Sequence, residues 1–134
     1  MLQKEQDLIA QDIVRCAREV YIILGNGFQE IVYKRALSAE MLLRKIEHQR
    51  GYKVPLFYKC TDIGQRVVDF LVAGKIPVEI KAIGNLEEVH QTQVLNFLEA
   101  YHFETGLLIN FGADNLQFHR LFNPKKRDTL RYHS

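Results

Sequence analysis

The chain has 134 residues, 47% of them hydrophobic and 25% charged, with a formal net charge of +2. These values predict one globular domain, residues 1–134, and leave no room for a comfortable second one. No apolar run approaches the roughly 20 residues of a membrane span, and a charge this small does not by itself argue for nucleic acid.

The N-terminus mixes both signs of charge without an apolar segment, so it does not read as a secretion signal, and cytoplasmic residence is the default. Ile9, Ile13, Ala17, Val20 and Leu24 form one apolar stripe and predict a helix over residues 8–24. Cys16 falls on an apolar face of that helix and reads as a small core residue; it and Cys60 have no zinc-like spacing. Gly25-Asn26-Gly27 stops the helix with residues that tolerate positive φ. A second helix is expected over residues 29–47, with Val32, Ala36, Ala39, Leu43 and Ile46 on its buried face. After Gly51 the period changes to two. Residues 52–59 read as a strand whose Pro55 asks for an edge or a bulge. Thr61-Asp62-Ile63-Gly64 reads as a turn, residues 65–73 as a second strand, and Gly74-Lys75 as a hairpin turn. Residues 76–82 form the third strand, with Ile76, Val78 and Ile80 facing one way and Pro77, Glu79 and Lys81 the other. Asn85 and Glu88 carry a capping-box spacing for a third helix that ends near Tyr101 and buries Val94, Leu98 and Tyr101. The apolar run 105–111 suits a central strand covered on both faces, and 116–122 a last strand. Helix, helix, three strands, helix and two strands together predict an α/β (α+β) layered domain with a mixed sheet.

Glu79 and Lys81 stand two apart on one strand, so they share a side, with Cα atoms roughly 6.5–7 Å apart. Such a pair is also an ordinary structural pairing of opposite charges on a sheet face. Asp69 adds weight. It lies inside the run Val67-Val68-Asp69-Phe70-Leu71-Val72, where a carboxylate is costly unless it is paired or binds a metal. A hairpin of the second and third strands brings it beside Glu79 in one register, which the sequence does not fix. Hard carboxylate oxygens suit Mg²⁺ or Mn²⁺, and a bound ion acidifies water and polarises a phosphoryl oxygen. A neighbouring lysine orients or deprotonates that water, or stabilises charge developing on phosphate. Glu30, in the first turn of the second helix, complements the helix dipole, and Tyr33 lies on its face either as packing or as part of a site. A helical glutamine ordinarily faces solvent, but Gln93 sits beside the apolar stripe of the third helix, which suits an inward aim; His90, one turn before it, reads either as a helix-surface histidine or as a residue in reach of the site. In the basic C-terminus, Lys125, Lys126 and Arg127 read either as a solvated end or as backbone-phosphate contacts.

The string Gly27-x-x-Glu30-x-x-Tyr33 resembles the signature of the GxxExxY protein family, which belongs to the PD-(D/E)XK nuclease-like superfamily. Asp69, then Glu79-Ile80-Lys81, then the segment from His90 through Gln93 to Phe97, then 106–111 follow in the family's order, so the resemblance covers about residues 8–123. It implies a restriction-endonuclease-like core of order α-β-β-β-α-β with an extra N-terminal helix. It further implies Asp69, Glu79 and the Ile80 main-chain carbonyl as metal ligands, Lys81 as the catalytic lysine, Glu30 as an additional acid near the metal, and Gln93 as the glutamine of the subset that has one. The implied activity is Mg²⁺- or Mn²⁺-dependent phosphodiester hydrolysis of nucleic acid, DNA before RNA, without a membrane partner and with a homodimer left open. Two positions depart from the pattern. Val68 replaces the proline of "PD", and Phe97 stands where a tyrosine is often found, removing a hydroxyl. The rival reading is a non-catalytic nucleic-acid-binding or protein-interaction module that keeps the fold. An intact Asp69, Glu79 and Lys81 set argues against it, because acids repel a phosphate backbone unless a cation lies between them.

Overall fold

A computed structural model describes residues 3–125. Its elements are α1 (Gln3–Leu24), α2 (Glu30–Leu43), β1 (His48–Tyr58), β2 (Thr61–Val72), β3 (Ile76–Lys81), α3 (Glu88–Tyr101), β4 (Thr105–Asn110) and β5 (Gln117–Phe122). The strands form one mixed sheet in the order β1-β2-β3-β4-β5, antiparallel throughout except for the parallel β3–β4 pair that α3 connects. Parallel neighbours need such a crossover, whereas the antiparallel pairs close through turns.

The periods seen in the sequence explain the layers. Ile13, Ala17 and Val20 of α1 are buried with Tyr33, Leu37 and Met41 of α2 against Phe70, Val78, Ile80 and Ile109. Val94 and Leu98 of α3 cover the opposite face at Leu108. All six residues of β4 are buried, which is what its unbroken apolar run requires. Cys16 is fully buried in the α1 core, and Cys60 is exposed.

Four expectations are corrected. The buried face of α2 is Tyr33, Leu37, Ser38 and Met41, while Ala39 and Leu43 are exposed. Good helix formers surround the whole helix, so its apolar period is ambiguous, and the large ring of Tyr33 decides which side faces in. The β1–β2 turn is at Lys59-Cys60, both at positive φ, and Thr61 already belongs to β2. Asp62 still makes its local bond, accepting the Gly64 N–H at 2.9 Å, but within a strand. Helix α3 starts from Glu87, where the His90 Nδ1 accepts the Glu87 N–H at 2.9 Å; Asn85 instead accepts from Gln117. Tyr101 is half-buried, its hydroxyl donating to the Pro55 carbonyl at 2.8 Å. Pro55 itself lies in an edge strand, beside the register shift at Leu56/Phe57.

One irregularity places the site. Along β2, Val68 packs with Phe97 of α3, whereas Phe70 and Val72, at the same parity, join the α1–α2 core. The strand therefore changes face at Asp69. Between the register pairs Arg50↔Phe70 and Tyr52↔Val68, Gly51 stands opposite Asp69 with φ +61. A left-handed glycine there bends β1 and lets the β1–β2 ribbon twist out of the sheet.

Candidate active site

The β2–β3 ladder ends at Phe70↔Val78, so the next opposed residues are Asp69 and Glu79. They sit in the notch where the ribbon leaves the sheet. Asp69 Oδ2 accepts the Ile80 N–H at 2.7 Å, which fixes the carboxylate against β3. Its Oδ1 receives Lys34 Nζ at 2.9 Å, and the same ammonium pairs with Glu30 Oε2 at 2.8 Å. Burial pulls the Lys34 ammonium down, but hydrogen bonds and charges from Glu30 and Asp69 outweigh it and raise its pKa. Glu79 is pushed up to about 8, by burial first and then by the charge of Asp69 and a hydrogen bond with it, against weaker pulls from Arg66 and Lys81.

Lys81 follows Glu79 on the same side of β3 and aligns with Asn110 of β4. Its ammonium makes no ion pair or hydrogen bond among the described residues. The main chain beyond it is held from β4: the Lys81 carbonyl accepts the Phe111 N–H at 2.9 Å. The buried Asn110 amide then accepts from Ile83 and Gly112 and donates to the Ile83 carbonyl and to Gln117. Gly112 is obligatory at this crossing, because a Cβ there would lie 2.3 Å from the Ile83 nitrogen.

The other sequence candidates fall in different places. Gly27 has φ +113, in the loop between α1 and α2. Tyr33 is fully buried, stacks on Phe111 at 4.7 Å between ring centres, donates its hydroxyl to the Gly25 carbonyl and accepts the Phe28 N–H. Gly27 and Tyr33 thus shape and pin the loop that delivers Glu30 to the first turn of α2. His90 serves as the α3 cap described above. Gln93 is exposed and makes no hydrogen bond among the described residues, so the inward aim expected of it is not what the structure shows. Phe97 is buried, with the Arg66 guanidinium 5.1 Å from its ring centre, so no hydroxyl is wanted there. Lys125 is exposed beside Asn123, and Lys126 and Arg127 lie outside the described residues.

Lys34 is the residue that the sequence reading missed. The signal was present, since Lys34 follows Glu30 by one helical turn, the spacing at which opposite charges meet. Gly51 and Asn110 were missed as well, and only the register of the strands reveals what they do.

Among the described residues no group of three or more His, Cys, Asp and Glu side chains gathers into a cage for a metal. The facing pair Asp69 and Glu79 nevertheless fits a hard divalent ion by donor type. Both offer carboxylate oxygens in a half-buried notch, and their mutual repulsion is the charge a cation relieves. Magnesium asks for no more than one or two carboxylates, keeping water on its remaining positions. Glu30 is tied to Lys34 and joins Asp69 only through that ammonium.

No curated protein matches the sequence. A solved structure titled "Crystal structure of SSO0001" overlays with a TM-score of 0.49 at 18% identity, covering 90% of this chain and 68% of that one. The family model described as the PD-(D/E)XK nuclease superfamily matches residues 7–121. The mixed five-stranded sheet flanked by three helices is a restriction-endonuclease-like arrangement. With a match over most of its length, the chain belongs to the PD-(D/E)XK nuclease superfamily.

Proposed function

We propose that the chain, as one domain over residues 1–134, is a Mg²⁺- or Mn²⁺-dependent nuclease that hydrolyses phosphodiester bonds of nucleic acid, DNA before RNA, in the cytoplasm. The observation that carries this reading is the notch itself. Two carboxyls face each other across diverging strands, and next along the same face stands Lys81, without an ion pair among the described residues. Asp69, Glu79 and the Ile80 carbonyl would hold the ion, which supplies an acidified water and a polarised phosphoryl oxygen when bound. The chain does the rest. The Ile80 N–H and Lys34 hold the Asp69 carboxylate in one orientation. Lys81 hydrogen-bonds the attacking water and stabilises the charge that grows on the phosphate as its ester bond breaks.

The test incubates purified protein with supercoiled, linear, single-stranded and branched DNA, and with RNA, with and without each metal. We expect cleavage that needs metal and falls roughly a hundredfold or more in Glu79→Ala and Lys81→Ala. Cleavage that survives both substitutions, or no cleavage of any substrate, overturns the reading.

One observation favours the rival, a binding module that retains the fold. Lys34 already gives Asp69 and Glu30 the positive charge that an ion would supply. Thermal melting separates the two, because an ion that binds only the folded state stabilises it by mass action. A Mn²⁺-dependent rise in Tm that Glu79→Ala abolishes supports the nuclease, and the same rise in both proteins supports the module.

A further inference from the structure

Beyond the notch, the β1–β2 ribbon has two unlike faces. One is pinned to α3: Val54 and Val68 pack on Phe97, Arg66 lies over that ring, and Tyr101 bonds the Pro55 carbonyl. The other face is open. Lys53 and Val67, which are register partners, are both exposed on it. Where this face meets α2 there is a groove of about 350 Å³ lined by Lys34, Arg50, Gly51, Val67 and Asp69. The groove therefore leads from the open ribbon face to the candidate metal ligand. The missing side chain at Gly51 keeps its floor low.

At the far end the ribbon exposes large apolar side chains. Phe57 and Tyr58 are each 61% exposed and Ile63 is 60% exposed. Phe57 continues the parity of Lys53 and so lies on the open face, whereas Tyr58, next along the strand, points to the other. The Lys59 ammonium sits 5.5 Å from the centre of the Tyr58 ring. Between residues 48 and 72 the cations are Arg50, Lys53, Lys59 and Arg66, and the acids are Asp62 and, in the site, Asp69. A second copy of this chain would bring like charge to like charge, whereas a polyanion is complementary.

We propose that the open face of the β1–β2 ribbon is a track for an unpaired nucleic-acid strand, with a base stacking on Phe57 and backbone phosphates seated at Lys53 and between Lys34 and Arg50 beside Asp69. The assignment rests on the nuclease reading for its purpose and on the ribbon's own chemistry for its ligand. Aromatic faces bind bases whose own faces are free, and duplex bases are already stacked on one another. Seven strand rises separate Arg50 from Phe57, roughly 23 Å, so several nucleotides lie along the track.

The experiment is fluorescence anisotropy with labelled oligothymidine, and with a labelled duplex of equal length, on the full chain carrying Glu79→Ala so that the probe stays intact. Adding Phe57→Ala should weaken oligothymidine binding about fivefold or more and leave duplex binding unchanged. Adding Arg50→Glu and Lys53→Glu should weaken both probes and lower the salt slope for oligothymidine by about 1.4, at ~0.7 per lost single-strand phosphate contact. Leu42→Ser with Leu43→Ser, exposed at the end of α2 and outside the lining of the groove, should change nothing. Because all the altered residues are exposed, melting curves should match the parent and show that each variant folds. Unchanged oligothymidine binding in the folded ribbon variants overturns the track, as does equal loss of duplex binding in the aromatic variant. The two readings fail separately. Wild-type protein that cuts with metal while ribbon variants bind normally sinks only the track. Ribbon-dependent binding without any cleavage sinks only the nuclease.

Discussion

At the scale of single residues, electrostatics in the notch makes the sharpest predictions. Glu79 has an ordinary value of 4.5 and is raised to about 8, so between those limits the folded state keeps a proton that the unfolded chain has lost. Stability from this group is full below pH 4.5 and falls as pH rises towards 8. In metal-free protein, Tm should drop across that window, and Glu79→Gln should flatten the drop. A Tm profile identical in the two proteins would show that Glu79 titrates normally. Lys34 makes the complementary case. Lys34→Met removes the resident cation from Asp69, so the Mn²⁺ concentration at half-maximal stabilisation should fall several-fold. An unchanged midpoint would mean that the ammonium does not compete with the ion. Tyr33 is a third case, and a structural one. Tyr33→Phe keeps the ring on Phe111 but strands the Gly25 carbonyl and the Phe28 N–H, at a cost of about 1–3 kcal/mol in urea unfolding. Part of this was legible in the sequence. Asp69 announced itself as an acid in an apolar strand, and Glu79 and Lys81 as a pair on one face. The ion pairs of Lys34 were not, because a lysine one turn after a glutamate is ordinary on any helix surface.

At the scale of elements, most of the chain was legible where the period was strong. The α1 stripe, the alternation of β3 and the buried run of β4 all lie where their patterns place them. The misses share one cause, which is that tertiary contacts chose between local options of similar quality. Asn85 and Glu87 both offer a start to α3, and the ring of His90 settles it. Thr61–Gly64 and Lys59–Cys60 both offer a turn, and pairing with β1 selects the latter. The twist at Gly51 was the least legible feature, since a glycine after a helix reads as a stop signal. It carries a prediction of its own. Space is not the constraint, because an added Cβ would meet only Val67 Cγ1, at 3.9 Å. The constraint is φ +61. Gly51→Val should therefore cost about 1–3 kcal/mol, while Gly51→Asn, which tolerates the left-handed region, should cost clearly less. Equal losses would mean that crowding, not backbone conformation, requires the glycine.

At the scale of the whole molecule, the site depends on a joint between two parts of the sheet. The β1–β3 meander brings Asp69 opposite Glu79, but it does not hold the end of β3, where Lys81 must stand. That end is held from across the parallel β3–β4 pairing, by a fully buried Asn110 that bonds Ile83 on both its N–H and its carbonyl. Gln117 of β5 extends the clamp to the Leu86 N–H at the approach to α3. Residues distant in sequence thus fix the main chain two positions beyond the lysine. Asn110→Ala strips the clamp of a buried donor and acceptor, leaving the Ile83 and Gly112 N–H groups without this partner, at a cost of about 2–4 kcal/mol. The loss should also reach the chemistry, because Lys81 is placed by the same backbone. In a cleavage assay run well below the variant's Tm, the rate should fall while oligothymidine binding by the ribbon is kept. A variant that is less stable yet cleaves at the full rate would show that Lys81 is positioned by β3 alone.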